Sequence, residues 1–245
     1  MNNVTKKMKK FGSHVWELFK AALPAMFMYF CAGTILLMLT LKGETIVWNS
    51  KKLMWTIVCC VAAFFYHALV SWGFGGNQYE MLVSGNVKRL TAEKYGDEGG
   101  YRISTHKEAK EYRVWKGFAI GAFIAIFPIV FGIIFGCNQS SIGEKMDTGA
   151  LSITVLVSFF LSGWSILPFY YMNVTGTYVS YFVSCLFGLF PLLISGFCYI
   201  GGAYARRSKR LREQMIAERN AQAEATRERK INYGGLPGTK PRKRK

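Results

Sequence analysis

Five long apolar segments alternate with polar stretches along the chain. They cover residues 21–41, 53–75, 117–136, 151–171 and 178–204, and none of them contains Asp, Glu, Lys or Arg. A hydrocarbon core about 30 Å thick is crossed by about 20 apolar residues, because an α-helix rises about 1.5 Å per residue. The pattern therefore predicts an all-α, polytopic integral membrane helix bundle with about five hydrophobic helices.

The first apolar segment has an alternative interpretation as a cleaved signal peptide, because a basic leader at residues 1–20 precedes it. Its length exceeds the roughly 7–15 apolar residues of a signal h-region, and no clear small-x-small cleavage site follows. An uncleaved first span is the better interpretation. The lead-in itself is predicted as an amphipathic turn at the membrane interface or as an unstructured tail.

The longest polar connection covers residues 77–116, which is below the usual size of about 50 residues for an independent domain. Gly73–Gly76 is predicted to end span two as a flexible stop. Within the connection, residues 105–116 are predicted as a short helix that leads directly into span three, and a second helix is predicted near 79–90. One membrane domain, residues 21–204, is therefore expected.

A basic tail follows the last span, and it holds much of the chain's net charge of +17. Residues 205–233 are rich in strong helix formers and are predicted as a charged helix, whereas 234–245 are predicted as a disordered basic end. Five bases follow the span directly and are predicted to contact anionic lipid headgroups: Arg206, Arg207, Lys209, Arg210 and Arg212. The simpler interpretation, which ranks first, is a topology anchor and solubilising tail.

The orientation of the chain does not follow from its charges alone. Basic residues near span ends favour the cytoplasmic side. The whole tail favours a cytoplasmic C-terminus, whereas the bases within about 20 residues of a span favour a cytoplasmic N-terminus. We predict a cytoplasmic C-terminus and leave the N-terminus unassigned. The conflict disappears if the fourth or fifth apolar segment does not cross fully.

His67 is the candidate intramembrane polar site, since it is the only imidazole within a span. A polar group in hydrocarbon needs a partner or water, so a ligand, proton or metal site is one interpretation. The favoured one is a neutral His67 hydrogen-bonded to Tyr66, to Ser71 or to a neighbouring helix. Ser162 and Ser195 are weak candidate nucleophiles beside His67, because neither lies in a Gly-x-Ser-Gly context.

No metal site and no cofactor are predicted. The chain has no HExxH, no CxxC and no phosphate-binding GxxxxGK[ST] motif, and its three histidines lie far apart in the sequence. Two pairs of glycines, Gly117/Gly121 and Gly132/Gly136, share one face of span three. Such faces let helix backbones approach closely, and we favour packing inside one bundle over homodimerisation.

The leading functional hypothesis is a non-catalytic accessory or scaffold protein of the cell membrane, which contacts anionic lipid or a membrane-protein partner through its tail. The alternative is a small-molecule or lipid transporter, or a subunit of one, which requires a water-accessible cavity near His67. A membrane-embedded enzyme ranks third, since a base must lie within about 3.2 Å of its nucleophile. Nucleic acid is not favoured as a partner, because no aromatic platform accompanies the charge.

Overall fold

The computed structural model describes residues 3–42, 45–46, 50–84, 111–139, 150–174 and 176–233. These ranges contain the helices α1 (Asn3–Thr40), α2 (Ser50–Ser84), α3 (Trp115–Cys137), α4 (Ala150–Val174), α5 (Ser184–Phe187) and α6 (Leu189–Tyr233). A two-residue antiparallel pair, β1 (Leu41–Lys42) with β2 (Thr45–Ile46), lies between α1 and α2. The predicted all-helical architecture is confirmed.

Five helical segments are long and apolar enough to cross a membrane: Phe11–Leu39, Lys51–Val83, Trp115–Cys137, Ile153–Asn173 and Tyr181–Arg227. The expected number of hydrophobic helices is therefore confirmed. Several helices continue past the apolar segments, because helix propensity and neighbouring contacts do not end where hydropathy falls. In particular, α1 already begins at Asn3, so most of the basic lead-in is helical.

The buried face of α1 explains how the bundle is assembled. α1 packs against α2, α3 and α4. Six of its buried residues recur at intervals of three or four positions, the spacing of one helix face: Leu18, Ala22, Ala25, Tyr29, Ala32 and Leu36. Half of them are alanines, so three helices can pack closely against this face.

Large apolar side chains also cover the outside of the bundle. Phe27, Phe65 and Phe197 are 67%, 65% and 63% exposed, and they lie on three different helices. A soluble monomer rarely exposes a contiguous apolar patch larger than a few hundred Å². This outer surface is suited to contact with lipid, because an apolar side chain that faces hydrocarbon is not exposed to water.

The prediction that Gly73–Gly76 ends span two is wrong, because α2 continues through it to Ser84. A Cβ atom on Gly75 would lie 2.0 Å from the carbonyl oxygen of Tyr199. Gly75 therefore serves a close helix contact with α6 and does not terminate α2. α2 also covers the first residues of the helix expected near 79–90, whereas 85–90 lie outside the described residues.

The helix predicted over residues 105–116 does not run directly into α3. Residues 111–114 are not helical, and α3 begins at Trp115; residues 105–110 lie outside the described ranges. The Tyr112 ring stacks on the Tyr199 ring, with centroids 5.1 Å apart and an interplanar angle of 12°. The chain thus bends at a point where an aromatic side chain packs against α6.

The fifth apolar segment is divided as well. A 3₁₀ turn at Tyr181–Val183 and the short α5 precede α6, and Pro191 lies in the first turn of α6. Proline is tolerated there because an N–H in the first turn has no intrahelical acceptor. The chain forms two compact units that divide after Ala203, so the basic tail is a unit of its own.

Candidate functional site

His67 is fully buried between helices and is paired with a tyrosine of α1. Its Nδ1 atom and the Tyr29 hydroxyl oxygen form a hydrogen bond of 3.0 Å. The two rings meet edge to face, with centroids 5.6 Å apart. The partner therefore comes from a neighbouring helix, one of the three sources expected from the sequence.

Aromatic side chains enclose this pair. The Trp164 ring lies 4.8 Å from the Tyr29 ring, and the Phe64 ring lies 5.5 Å from that of Trp164. We call these four residues, Tyr29, Phe64, His67 and Trp164, the His67 cluster. It joins α1, α2 and α4 in the interior of the bundle, and burial separates His67 from solvent.

The structure does not bring His67 together with either candidate serine. The His67 Nε2 atom and the Ser162 hydroxyl make no hydrogen bond within the described part of the chain. Ser195 instead lies beside Ser71, with 3.4 Å between the two hydroxyl oxygens. Nucleophilic catalysis requires a base in hydrogen-bond contact with its nucleophile, and that contact is not formed here.

α4 is locally distorted two residues before Trp164, which belongs to the His67 cluster. Ser162 has non-helical backbone angles, φ −134° and ψ 18°, and Pro168 follows within the same helix. Because proline lacks an N–H, it leaves the carbonyl of Trp164 without its intrahelical donor. The Cys60 thiol of α2 donates to that carbonyl with an Sγ–O distance of 3.6 Å, so a neighbouring helix replaces the lost bond.

The first glycine pair of span three lies against α6. A Cβ on Gly117 would be 2.8 Å from the Cβ of Tyr199, and one on Gly121 would be 2.6 Å from the Cα of Leu192. Any larger residue at these positions would force the two helices apart. This face is occupied inside the bundle.

The second glycine pair lies against the segment just before α6. A Cβ on Gly132 would be 2.6 Å from the Ser184 hydroxyl oxygen, and one on Gly136 would be 2.7 Å from the Phe182 ring. All four predicted packing glycines thus face the last apolar segment of the same chain. Homodimerisation through this face would require that segment to move away.

A polar network at one end of the bundle was missed by the sequence analysis. The Tyr199 hydroxyl donates to the Gln78 side-chain oxygen over 2.5 Å, and both residues are buried. Lys116 is 1% exposed and donates through Nζ to the carbonyl of Glu111. Gln78 and Lys116 each lie just outside an apolar segment, which is the sequence signal that could have found them, but their partners Tyr199 and Glu111 do not follow from that position.

A cavity of about 390 Å³ that is open to the outside of the bundle lies between α1 and α2, and its lining does not include His67. Its polar lining comes from Glu17, Lys20 and Asn77, and its remaining lining is apolar. The Glu17 carboxylate and the Lys20 ammonium are 3.7 Å apart. Sequence reasoning did not single out these residues, because one helical turn holding an acid and a base is common on any surface.

The five predicted lipid-contacting bases lie on the part of α6 that belongs to the second unit. Arg207, Lys209 and Arg212 are exposed, and Arg206 and Arg210 are half-buried. Lys209 lies 3.9 Å from the Glu213 carboxylate, an ion pair between exposed side chains that contributes little to stability. The cluster therefore remains predominantly cationic.

Among the described residues, no group of three or more His, Cys, Asp or Glu side chains is arranged to hold a metal ion. The arrangement thus consists of a sealed polar pair, a closely packed glycine face, a small cavity and a basic helix.

No family model, no curated protein and no solved structure matches the chain.

Proposed function

We propose that this protein is a multi-pass membrane protein of accessory or scaffold type. In this proposal it contacts anionic lipid headgroups, or a membrane-protein partner, through the basic cluster, defined as Arg206, Arg207, Lys209, Arg210 and Arg212. The observation that carries the proposal is the continuity of α6, which passes from apolar residues directly into these five bases. The tail is proposed to lie on the cytoplasmic side, where anionic lipid is enriched.

The interior of the bundle supports a non-catalytic role. The five predicted spans contain no charged residue, whereas proton relays and ion pathways use charged groups in the membrane. One polar pair in this interior, Tyr29 with His67, is buried and joined by a hydrogen bond at the His67 Nδ1 atom. These features favour a protein that acts by binding lipid or a partner, and not by catalysis or proton transfer inside the bundle.

The electrostatics of the basic cluster suit a membrane surface. Residues 206–212 contain five bases and no acid, and each base near anionic lipid contributes about 1 kcal/mol. Because the cluster directly follows the apolar part of α6, its bases stay within reach of headgroups once that part is inserted. A basic segment farther along the chain is not held near the headgroups in this way.

Lipid contact is tested with the full chain reconstituted into bilayers that contain spin-labelled phosphatidylglycerol. Changing all five bases of the cluster to Gln is expected to reduce the motionally restricted lipid fraction, and added salt is expected to reduce it in the unchanged protein. The matched control replaces five terminal bases, Lys240, Arg242, Lys243, Arg244 and Lys245, and is expected to have a smaller effect. Equal losses in both variants would contradict a specific role for the cluster.

The scaffold role is tested by affinity purification from native membranes in mild detergent. We expect another membrane protein to co-purify in a fixed ratio, and we expect the Gln variant of the basic cluster to lose it if the tail is the contact. Recovery of the chain as a lone monomer would argue against the scaffold role.

Transport through a cavity near His67, the alternative from the sequence, gains no support from these contacts. His67 is fully buried, and the described cavity between α1 and α2 is lined by other residues. We therefore do not propose transport.

A further inference from the structure

We propose that the cavity between α1 and α2 binds one membrane phospholipid whose headgroup carries both a phosphate and a primary ammonium. This inference rests on the proposed membrane insertion and assigns a second, separate lipid contact away from the basic cluster. It would hold a zwitterionic lipid at a defined place on the bundle, whereas the tail gathers anionic lipid without fixed geometry.

The polar lining of the cavity carries two opposite charges, which form an ion pair with each other. The Glu17 carboxylate and the Lys20 ammonium are 3.7 Å apart, and their side chains are 22% and 49% exposed. A phosphate can accept from the Lys20 ammonium while the lipid's ammonium donates to Glu17. Asn77 lines the same cavity and supplies an uncharged amide, which can donate or accept.

Two backbone features shape the space next to these charges. Pro24 lines the cavity and lacks the N–H that would reach the carbonyl of Lys20, so an additional acceptor points along this part of α1. Gly73 lines the opposite side, and a Cβ there would meet nothing within 4 Å. The absence of a side chain at Gly73 therefore leaves space that a ligand can fill.

The rest of the lining is apolar and favours an acyl chain over a water-soluble ligand. Leu69 and Phe74 of α2 and Ala21 of α1 also line the cavity. Leu69 and Pro24 are also exposed on the outside of the bundle. In a bilayer this side faces lipid, so an acyl chain can lie along the groove while its headgroup stays at the charged side chains.

Ligand preference is tested by native mass spectrometry of the full chain released from nanodiscs. The probes are phosphatidylethanolamine, phosphatidylcholine and phosphatidylglycerol with identical acyl chains. Phosphatidylethanolamine is expected to stay bound in a one-to-one ratio, since the methylated ammonium of phosphatidylcholine cannot donate to Glu17 and phosphatidylglycerol has no ammonium. Equal retention of all three lipids would overturn the proposal.

Two variants test which side chain binds the ammonium and which binds the phosphate of the headgroup. Glu17→Gln is expected to reduce phosphatidylethanolamine retention about tenfold and to raise phosphatidylglycerol relative to it, because the ammonium loses its charged acceptor. Lys20→Gln is expected to reduce the retention of both lipids. Unchanged selectivity in Glu17→Gln would overturn the proposal.

A steric variant tests the location independently of charge. Gly73→Leu fills the cavity from a position with no neighbour within 4 Å and is expected to exclude the lipid. The matched control is Gly12→Leu, another helical glycine with nothing within 4 Å, which does not line the cavity. Equal lipid retention in both variants would show that the cavity is not the lipid site.

Failure of this inference is distinguishable from failure of the proposed function. The variant with a neutral basic cluster is expected to keep phosphatidylethanolamine while losing phosphatidylglycerol contact. If the protein inserts into membranes but shows no headgroup preference, only the lipid site in the cavity is contradicted. If the protein is not recovered in membranes, both the lipid site and the proposed function are contradicted.

Discussion

The pairing of His67 with Tyr29 shows how this bundle accommodates an imidazole in an apolar interior. A buried polar atom without a partner costs more than its hydrogen bond would have contributed. The Tyr29 hydroxyl meets Nδ1, and the aromatic rings of the His67 cluster fill the surrounding space. Pairing with Tyr29 satisfies the Nδ1 atom of His67, whereas its buried Nε2 atom makes no hydrogen bond within the described residues.

Tyr29→Phe is expected to lower the free energy of unfolding by about 1–3 kcal/mol, because it leaves Nδ1 buried without a partner. Tyr66→Phe is the matched control, since Tyr66 neighbours His67 in sequence but is exposed. Unfolding of both variants is measured by tryptophan fluorescence in mixed micelles. Combining Tyr29→Phe with His67→Leu is expected to restore part of the loss, because both polar partners are then removed. Equal stability of the two single variants would contradict a structural role for this pair.

Asn173 connects the end of α4 to the start of the last apolar segment. Its side-chain oxygen accepts from the Val179 N–H over 2.8 Å, and its amide nitrogen donates to the Val179 carbonyl over 2.9 Å. Asn173→Ala is expected to cost about 1–3 kcal/mol of stability, because the Val179 N–H loses its acceptor, while the Val179 carbonyl keeps the Gln139 amide as a donor over 3.1 Å. Asn173→Asp keeps the acceptor but places a carboxylate oxygen against the Val179 carbonyl, so it is expected to recover only part of the loss. Thermal unfolding in detergent measures both variants, and the reverse order would contradict this role.

At the scale of helices, α2 and α6 approach each other through reciprocal glycines. A Cβ on Gly75 of α2 would lie 2.0 Å from the Tyr199 carbonyl oxygen, and one on Gly202 of α6 would lie 1.9 Å from that of Trp72. Each helix thus supplies a glycine opposite a backbone carbonyl of the other. The missing side chains set the distance between the helices.

Gly75→Ala and Gly202→Ala are each expected to lower stability by about 1–3 kcal/mol or more, because backbone atoms must move to admit a methyl group. Gly73→Ala lies on the same helix as Gly75, and its Cβ meets nothing within 4 Å, so it is expected to be neutral or slightly stabilising. Denaturation in mixed micelles measures all three variants. If Gly73→Ala were as damaging as Gly75→Ala, the close helix contact at Gly75 would not be the cause, since helix propensity favours alanine at both positions.

The sequence predicts the five apolar helices because apolar length is a local property of each segment. It does not predict the role of Gly75, because a glycine that ends a helix and one that admits a neighbour look alike until the partner is known. Tyr112 is a similar case: its ring stacks on that of Tyr199, which is distant in sequence, within the non-helical segment at 111–114.

The candidate site shows the same limit. His67 is found from sequence because one imidazole in an apolar segment is conspicuous, but its partner Tyr29 lies on another helix. Glu17 and Lys20 are one turn apart and look like an ordinary surface pair. They become a candidate site only where Asn77 and Gly73 of α2 complete the cavity.

For the whole molecule, the lengths of the helical segments bear on whether every apolar segment can cross a membrane. The fourth apolar segment lies in a helix whose apolar part, Ile153–Asn173, has 21 residues. At about 1.5 Å per residue this spans the hydrocarbon core, even with a local distortion at Ser162. The fifth segment is long enough as well. Five full crossings would place the two ends of this chain on opposite sides of a membrane.

We therefore expect cysteines introduced at Thr5 and Thr239 to react with a membrane-impermeant maleimide from opposite sides. The background replaces the native cysteines with alanine, and each single-cysteine protein is labelled in intact cells and again after permeabilisation. With a cytoplasmic C-terminus, Thr239→Cys reacts only after permeabilisation, whereas Thr5→Cys reacts in intact cells. Labelling of both sites from the same side would mean that one apolar segment does not cross, and the distortion of α4 at Ser162 and the divided segment before α6 are then the places where the chain turns back.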